Sequence, residues 1–294
     1  MTKSLRAVTA LAVMFLCLPL LGLPPHAQAQ PAAPEVMADG VCVIDGASGA
    51  IVYAKNPNER FPMASTTKTM TAILALEKAD LKRRVVVDVS WDEIPDSSIM
   101  GLDLMEELTI EDLLYGLMLP SGNDAARAIA RSIAGDDYRF AQMMNSKAQE
   151  LGLVNTHYMN PHGRNEDDHY TSACDLAKLG YYAMQNPVFR KIVATTRITI
   201  DGRYGVYPLR NINRFLLNYP GADGIKTGFD DARVPSTGLA AGSAVQASAV
   251  RGGRRGYVAV LHTWGNYATE AAAIMDYFFY NYDALVAFPR VSSR

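Results

Sequence analysis

The sequence predicts an α+β fold: an antiparallel sheet built from both chain ends, flanked by helices, with a helical lobe inserted between its halves. Three observations carry this prediction. Short β-branched runs lie near residue 40 and again after residue 195, and the stretch between about 62 and 190 has apolar residues at helical spacing. The composition is that of an ordinary globular chain, with 49% hydrophobic and 20% charged residues over 294 positions, which excludes disordered and multi-span membrane classes. The net charge of −2 comes with no dense Lys/Arg cluster, so nucleic acid is not an expected partner. Internal repeats are absent.

In chain order, residues 1–29 read as a secretory signal peptide. Lys3 and Arg6 precede an apolar run from Ala7 to Leu23, Pro24 and Pro25 break it, and Ala27-Gln28-Ala29 supplies a small-x-small cleavage site. An uncleaved anchor is the other reading, since the run is borderline for about 30 Å of hydrocarbon. Cleavage leaves no strong membrane anchor and places residues 30–294 outside the cytoplasm. Cys42, in a β-branched run, and Cys174, in a helical stretch, then either pair or remain two buried thiols, and the sequence leaves both open.

The mature chain is expected to form a single domain of two lobes, a sheet lobe (about 38–62 and 195–294) and a helical lobe (about 63–194). Val41–Asp45 and Ile51–Ala54, separated by Gly46-Ala47-Ser48-Gly49, read as a hairpin. Helices are expected over Met63–Lys78, Ile110–Met118, Asp124–Ile133, Arg139–Leu151 and Thr171–Met184, with a short strand within Arg83–Val89. Further strands are Ile198–Ile200, Gly205–Leu209, Gly224–Phe229, Ser236–Val250 and Gly256–Thr263, before a closing helix Ala268–Tyr282. Gly252-Gly253 supplies the turn between the last two strands.

Three short motifs carry chemistry. Ser65-Thr66-Thr67-Lys68 opens the first long helix; residues three apart face each other there, so the Lys68 amine reaches the Ser65 hydroxyl. A lysine held neutral by burial or by a nearby cation is a base for that proton, and the helix N-terminus offers backbone N–H groups to an oxyanion. Alone, the motif equally describes a capping serine with a solvated lysine. Ser121-Gly122-Asn123, in a turn between helices, suits a proton relay and an amide contact, but is also ordinary cap chemistry. Lys226-Thr227-Gly228, followed by Phe229, suits a substrate lying along a strand, because glycine lets another backbone approach. Alone, it describes a turn beside a surface lysine.

The three in this order, with their contexts Pro62–Ala72, Leu113–Ala126 and Tyr219–Gly228 and the segment His169–Ala177, resemble the low-molecular-weight D-alanyl-D-alanine carboxypeptidases, a penicillin-binding family. The resemblance runs from about Val41 to the closing helix and implies the β-lactamase/penicillin-binding transpeptidase-like fold. It implies that Ser65 attacks the carbonyl between two terminal D-alanines of a peptidoglycan stem peptide, with Lys68 as base. It further implies that Ser121 and Lys226 pass the proton to the leaving D-alanine, that Asn123 holds the substrate amide, and that the Ser65 and Phe229 N–H groups form the oxyanion hole. Lys226, Thr227, Gly228 and Phe229 are the substrate-binding set. β-Lactam antibiotics would acylate Ser65, and no cofactor is implied.

Two departures stand out. Relatives often carry a second β-rich domain and a C-terminal amphipathic helix, and neither is expected here. Relatives also carry a basic residue after the last strand for the substrate carboxylate, yet no Arg or Lys lies between His262 and Asp283; Lys226 and Thr227 are the expected replacements, with Arg233 next. His157, His162, His169, Asp167 and Asp168 lack familiar zinc spacing and read as loop surface, so no metal is expected. The alternatives are a DD-endopeptidase with the same machinery, a β-lactamase using Glu166, and a non-catalytic penicillin binder.

Overall fold

The structure is a computed structural model that describes residues 32–89, 93–94 and 97–292. The leader expected over 1–29 lies outside the described residues. Strands β1 (Gly40–Asp45) and β2 (Ile51–Lys55) form the expected hairpin. From the other end of the chain come β7 (Ala222–Arg233), β8 (Ala240–Arg251), β9 (Arg254–Thr263) and β10 (Arg290–Ser292). All six join one sheet in the order β10-β2-β1-β9-β8-β7. Every pairing is antiparallel except that of β10 with β2.

Helices cover both faces of this sheet, which explains why β1 is buried at every position instead of alternating. With period two, Cys42, Ile44, Ala259 and Leu261 turn to one face and Val41, Val43, Val258 and Val260 to the other. The first face packs against α5 (Ala173–Ala183) and α1 (Lys68–Lys78), and α2 (Ile110–Met118), α3 (Asn123–Ala134) and α4 (Asp137–Glu150) extend the same core around α1. The second packs against α8 (Tyr267–Tyr280) through Ala271, Ile274, Met275 and Phe278. Helix α1 is buried at every residue from Lys68 to Ala75, which suits a helix at the centre of a domain.

Helix ends follow their caps. Thr109 and Asp112 form a reciprocal capping box at α2, and Ser172 caps α5 by accepting from the Asp175 N–H. Cys42 of β1 and Cys174 of α5 are joined as a disulfide, which settles the alternative the sequence left open and ties α5 to the sheet.

Several elements differ from expectation. β5 (Arg197–Asp201) and β6 (Val206–Arg210) pair only with each other, not with the main sheet. β3 (Arg84–Val86) pairs with β4 (Glu107–Thr109) in another two-stranded ladder. Helices α6 (Pro187–Ala194) and α7 (Arg214–Asn218) carry the Asn-capped starts that mark a helix, at Asn186 (followed by Pro187) and Asn213. The closing helix breaks at Asn281 into α8 and α9 (Tyr282–Ala287).

Candidate active site

A 3-10 turn, Ala64–Thr67, leads into α1 and carries Ser65. Ala64 sits at φ +46°, a left-handed conformation uncommon for a residue with a Cβ. Neighbours hold it there. The Thr67 hydroxyl donates to the Ala64 carbonyl at 2.8 Å, and His169 Nε2 lies 2.8 Å from Thr67 Oγ1. Because His169 Nδ1 accepts the Met159 N–H at 3.0 Å, the proton of the neutral ring sits on Nε2 and is donated to Thr67. Burial, with the charges of His157 and Lys68, lowers the His169 pKa to about 3, so the ring stays neutral. Gly163, at φ +96°, packs so tightly that a Cβ would lie 2.0 Å from the Ala64 carbonyl oxygen.

Lys68, one turn after Ser65, is fully buried. Its Nζ donates to Ser65 Oγ at 2.7 Å and to the His162 carbonyl at 2.7 Å. Burial first, and the charge of Lys226 second, push its pKa well below the usual lysine value, against a smaller opposing pull from Asp124. Asp124 itself accepts the backbone N–H groups of Met100, Gly101, Leu102 and Ala125, so it pins the loop before α2 and begins α3.

The turn between α2 and α3 places Ser121 at φ +69° and Asn123 at the first helical position, both nearly buried. The Asn123 N–H donates to the Ser98 carbonyl, while its buried side-chain Oδ1 has no partner among the described residues. On the opposite side, β7 is the outer strand of the sheet. Lys226 is 1% exposed, donates to the Thr227 carbonyl at 2.9 Å, and is lowered to about 7 by burial. It stands opposite Gln246 of β8, which receives the Thr69 hydroxyl and donates to the Leu176 carbonyl, locking the sheet to α1 and α5. At Gly228 a Cβ would lie 3.0 Å from the Ser65 nitrogen and 3.1 Å from Ala64 Cβ and the Met63 oxygen. Only glycine lets the strand approach the serine this closely.

Between these elements lies a cleft of about 640 Å³ lined by Ser65, Asn123, the His162–Asn165 segment, Phe229–Ala232 and the pair Ser97 and Ser98. Of the motif residues singled out in the sequence, Ser65, Asn123 and Phe229 face this cleft. Ser121, Lys68, Lys226 and Thr227 are nearly or fully buried, and Gly228 abuts Ser65.

The histidines correct one expectation. His162 and His169 are not loop surface: they are 7% and 2% exposed, and both pack beneath the serine. A histidine's burial is set by its partners across the fold, which local spacing does not reveal. Among the described residues no group of His, Cys, Asp and Glu is arranged to hold a metal ion. Glu166 is exposed and accepts from the Asn160 amide, outside the lining of the cleft. Arg233 donates to the Gly238 carbonyl of its own loop. Sequence reasoning gave no part in the site to Thr67 or Gly163–Asn165, and read His162 and His169 as surface; the glycine at 163 between polar residues was the available signal.

Fold and site together define an α+β architecture in which a serine and a buried lysine meet at the edge of one cleft. The chain belongs to the D-alanyl-D-alanine carboxypeptidase family, whose model matches residues 27–264. It is 36% identical over 200 residues to a D-alanyl-D-alanine carboxypeptidase of Bacillus subtilis, covering 65% of this chain and 51% of that protein. A D-alanyl-D-alanine carboxypeptidase of Mycobacterium tuberculosis is 34% identical over 264 residues, covering 86% and 87%. The chain therefore spans about half the length of the first relative and most of the second. Among solved structures, a D-alanyl-D-alanine carboxypeptidase from M. tuberculosis matches with a TM-score of 0.79 at 32% identity, covering 86% of this chain and 95% of that one. A Streptomyces DD-transpeptidase matches at 0.76 and 30%, covering 85% and 100%.

Proposed function

We propose that this chain removes the terminal D-alanine from peptidoglycan stem peptides through an acyl-enzyme on Ser65. The supporting observation is the 2.7 Å contact between Ser65 Oγ and the buried, easily deprotonated Lys68 amine. Neutral Lys68 takes the hydroxyl proton as Ser65 Oγ bonds to the carbonyl carbon of the penultimate D-alanine. The resulting oxyanion is received by the backbone N–H groups of Ser65 and Phe229, which the close contact at Gly228 keeps on one site. The peptide bond then breaks, and its nitrogen is protonated through Ser121, with Lys226 behind it. Water hydrolyses the ester and frees Ser65.

In this reading the Asn123 side chain supplies the acceptor for the acyl-side amide N–H, which accounts for a buried oxygen without a partner. The unpaired outer side of β7 takes the extended peptide, as an added strand would. Lys226 and Thr227 receive the terminal carboxylate. The chain acts outside the cytoplasm after loss of residues 1–29, as a single catalytic domain, and β-lactams acylate the same serine. Exposure to benzylpenicillin followed by intact-mass measurement and peptide mapping tests this: one adduct on Ser65, absent in Ser65→Ala, is the expected result. An adduct elsewhere, or none, refutes the assignment.

A further inference from the structure

The segment that crosses the cleft from the side of α4 and α5 carries an arginine whose backbone is held on both flanks. The Arg164 N–H donates to His162 Nδ1 and its carbonyl accepts from the Asn160 amide. On the next residue, the Asn165 N–H donates to Asp230 and its side-chain amide donates to the Ala232 carbonyl. On the preceding one, Gly163 is pressed against the Ala64 carbonyl, one residue from the serine. Among the described residues, Arg164 is the one cationic residue lining the cleft, and no ion pair or side-chain hydrogen bond engages its guanidinium. Other arginines around the cleft are occupied: Arg127 by Glu93 and Asp137, Arg233 by the Gly238 carbonyl. A fixed backbone bearing an unengaged guanidinium over a substrate cleft is the arrangement that reads a carboxylate.

Its position says which part of the substrate it reads. The cleft wall it shares contains Asn123 and Phe229–Ala232, and does not include Ser121, Lys226 or Thr227. On the reading proposed above, the leaving D-alanine lies toward Lys226 and Thr227, so the opposite arm takes the acyl donor. We propose that Arg164 makes this arm a carboxylate subsite, selecting peptides whose side chain just before the penultimate D-alanine is acidic. Asp230 keeps its charge, but its two oxygens are turned to the Ala232 and Asn165 N–H groups and form no ion pair with Arg164 among the described residues. Asp231, exposed in the same lining, disfavours a carboxylate beside it and so weakens the subsite.

The test uses the full chain and two blocked tripeptides ending in D-Ala-D-Ala, one with L-glutamate and one with L-glutamine at the first position. They differ by a charge at nearly constant shape. The parent is expected to favour glutamate in kcat/KM by about three- to tenfold at low salt, the range of a partly exposed ion pair or charge-assisted hydrogen bond, and less so at 0.5 M salt. Arg164→Gln should bring the two peptides together, Arg164→Lys should retain part of the preference, and Asp231→Asn should increase it. Equal rates in the parent, or a preference that survives Arg164→Gln, overturn the subsite. Benzylpenicillin labelling of Ser65 in the same samples separates the two readings. Labelling without discrimination overturns only the subsite, whereas failure to label overturns the Ser65 reading and the subsite with it.

Discussion

The start of α1 and the edge of β7 each bring a lysine into the same buried space, by different means. Lys68 is surrounded: it donates to Ser65 and to the His162 carbonyl, and both burial and Lys226 disfavour its charge. Lys226 is shifted by burial alone, to about 7, and donates to the Thr227 carbonyl beside it. Burial first, and nearness to a second cation second, favour the basic, uncharged form of the first lysine. The second stays close to half-protonated at neutral pH and can give or hold a proton. Two residues of one type thus take different work because their settings differ.

Removing the amine from the α1 side should produce the largest effect. Lys68→Ala is expected to slow acylation by a fluorescent penicillin by about 10²–10⁴-fold or more, since Ser65 then lacks a base. Circular dichroism should show the parental fold, and acylation at the parental rate would remove Lys68 from the role. The β7 side breaks differently. In Gly228→Ala the new methyl meets the Ser65 nitrogen at 3.0 Å and must push the strand away from the serine. Acylation should fall by about 10²-fold, the cost of spoiling one oxyanion donor, with little change in substrate binding; a variant within twofold of the parent would mean that the two backbones need not touch. The smallest effect concerns the carboxylate. Lys226 is a cation below about pH 7 and neutral above it. The preference for a peptide acid over its C-terminal amide should therefore be about tenfold at pH 6 and decline as pH rises through 7. Thr227→Val should lose most of it at every pH, and a flat, unaltered ratio would move the carboxylate to other donors.

How much of this was legible in the sequence depended on whether the signal was local. Helix α2 is found at Ile110–Met118 as expected, because its apolar spacing and its cap lie within one short window. Ser65 and Lys68 meet because helix geometry alone makes neighbours of residues three apart. Strand β10 has three residues and gains its pairing only from β2, so nothing in its own pattern announces it. Periodicity marks β5 and β6 as strands but is silent on which sheet a strand joins, and these two join only each other. His169 is buried because Thr67, 102 residues away, and Met159, across the loop, satisfy both ring nitrogens. Polar burial of that kind is a property of the assembled fold, not of the segment that carries it.

The outer position of β7 has one more consequence. A 12-residue strand at a sheet edge offers its unpaired backbone to any extended chain, including the same strand of another copy. The opposite edge is blunted by the three-residue β10, but β7 cannot be shortened without losing its contact with the serine. Protection comes from its neighbours instead. Asp230, Asp231 and Arg233 charge the far end of the strand, and the Asn165 amide already occupies the Ala232 carbonyl. A second sheet would have to displace that amide and bury Asp231 to continue the ladder, so one loop that frames the cleft also guards the protein against polymerising through it.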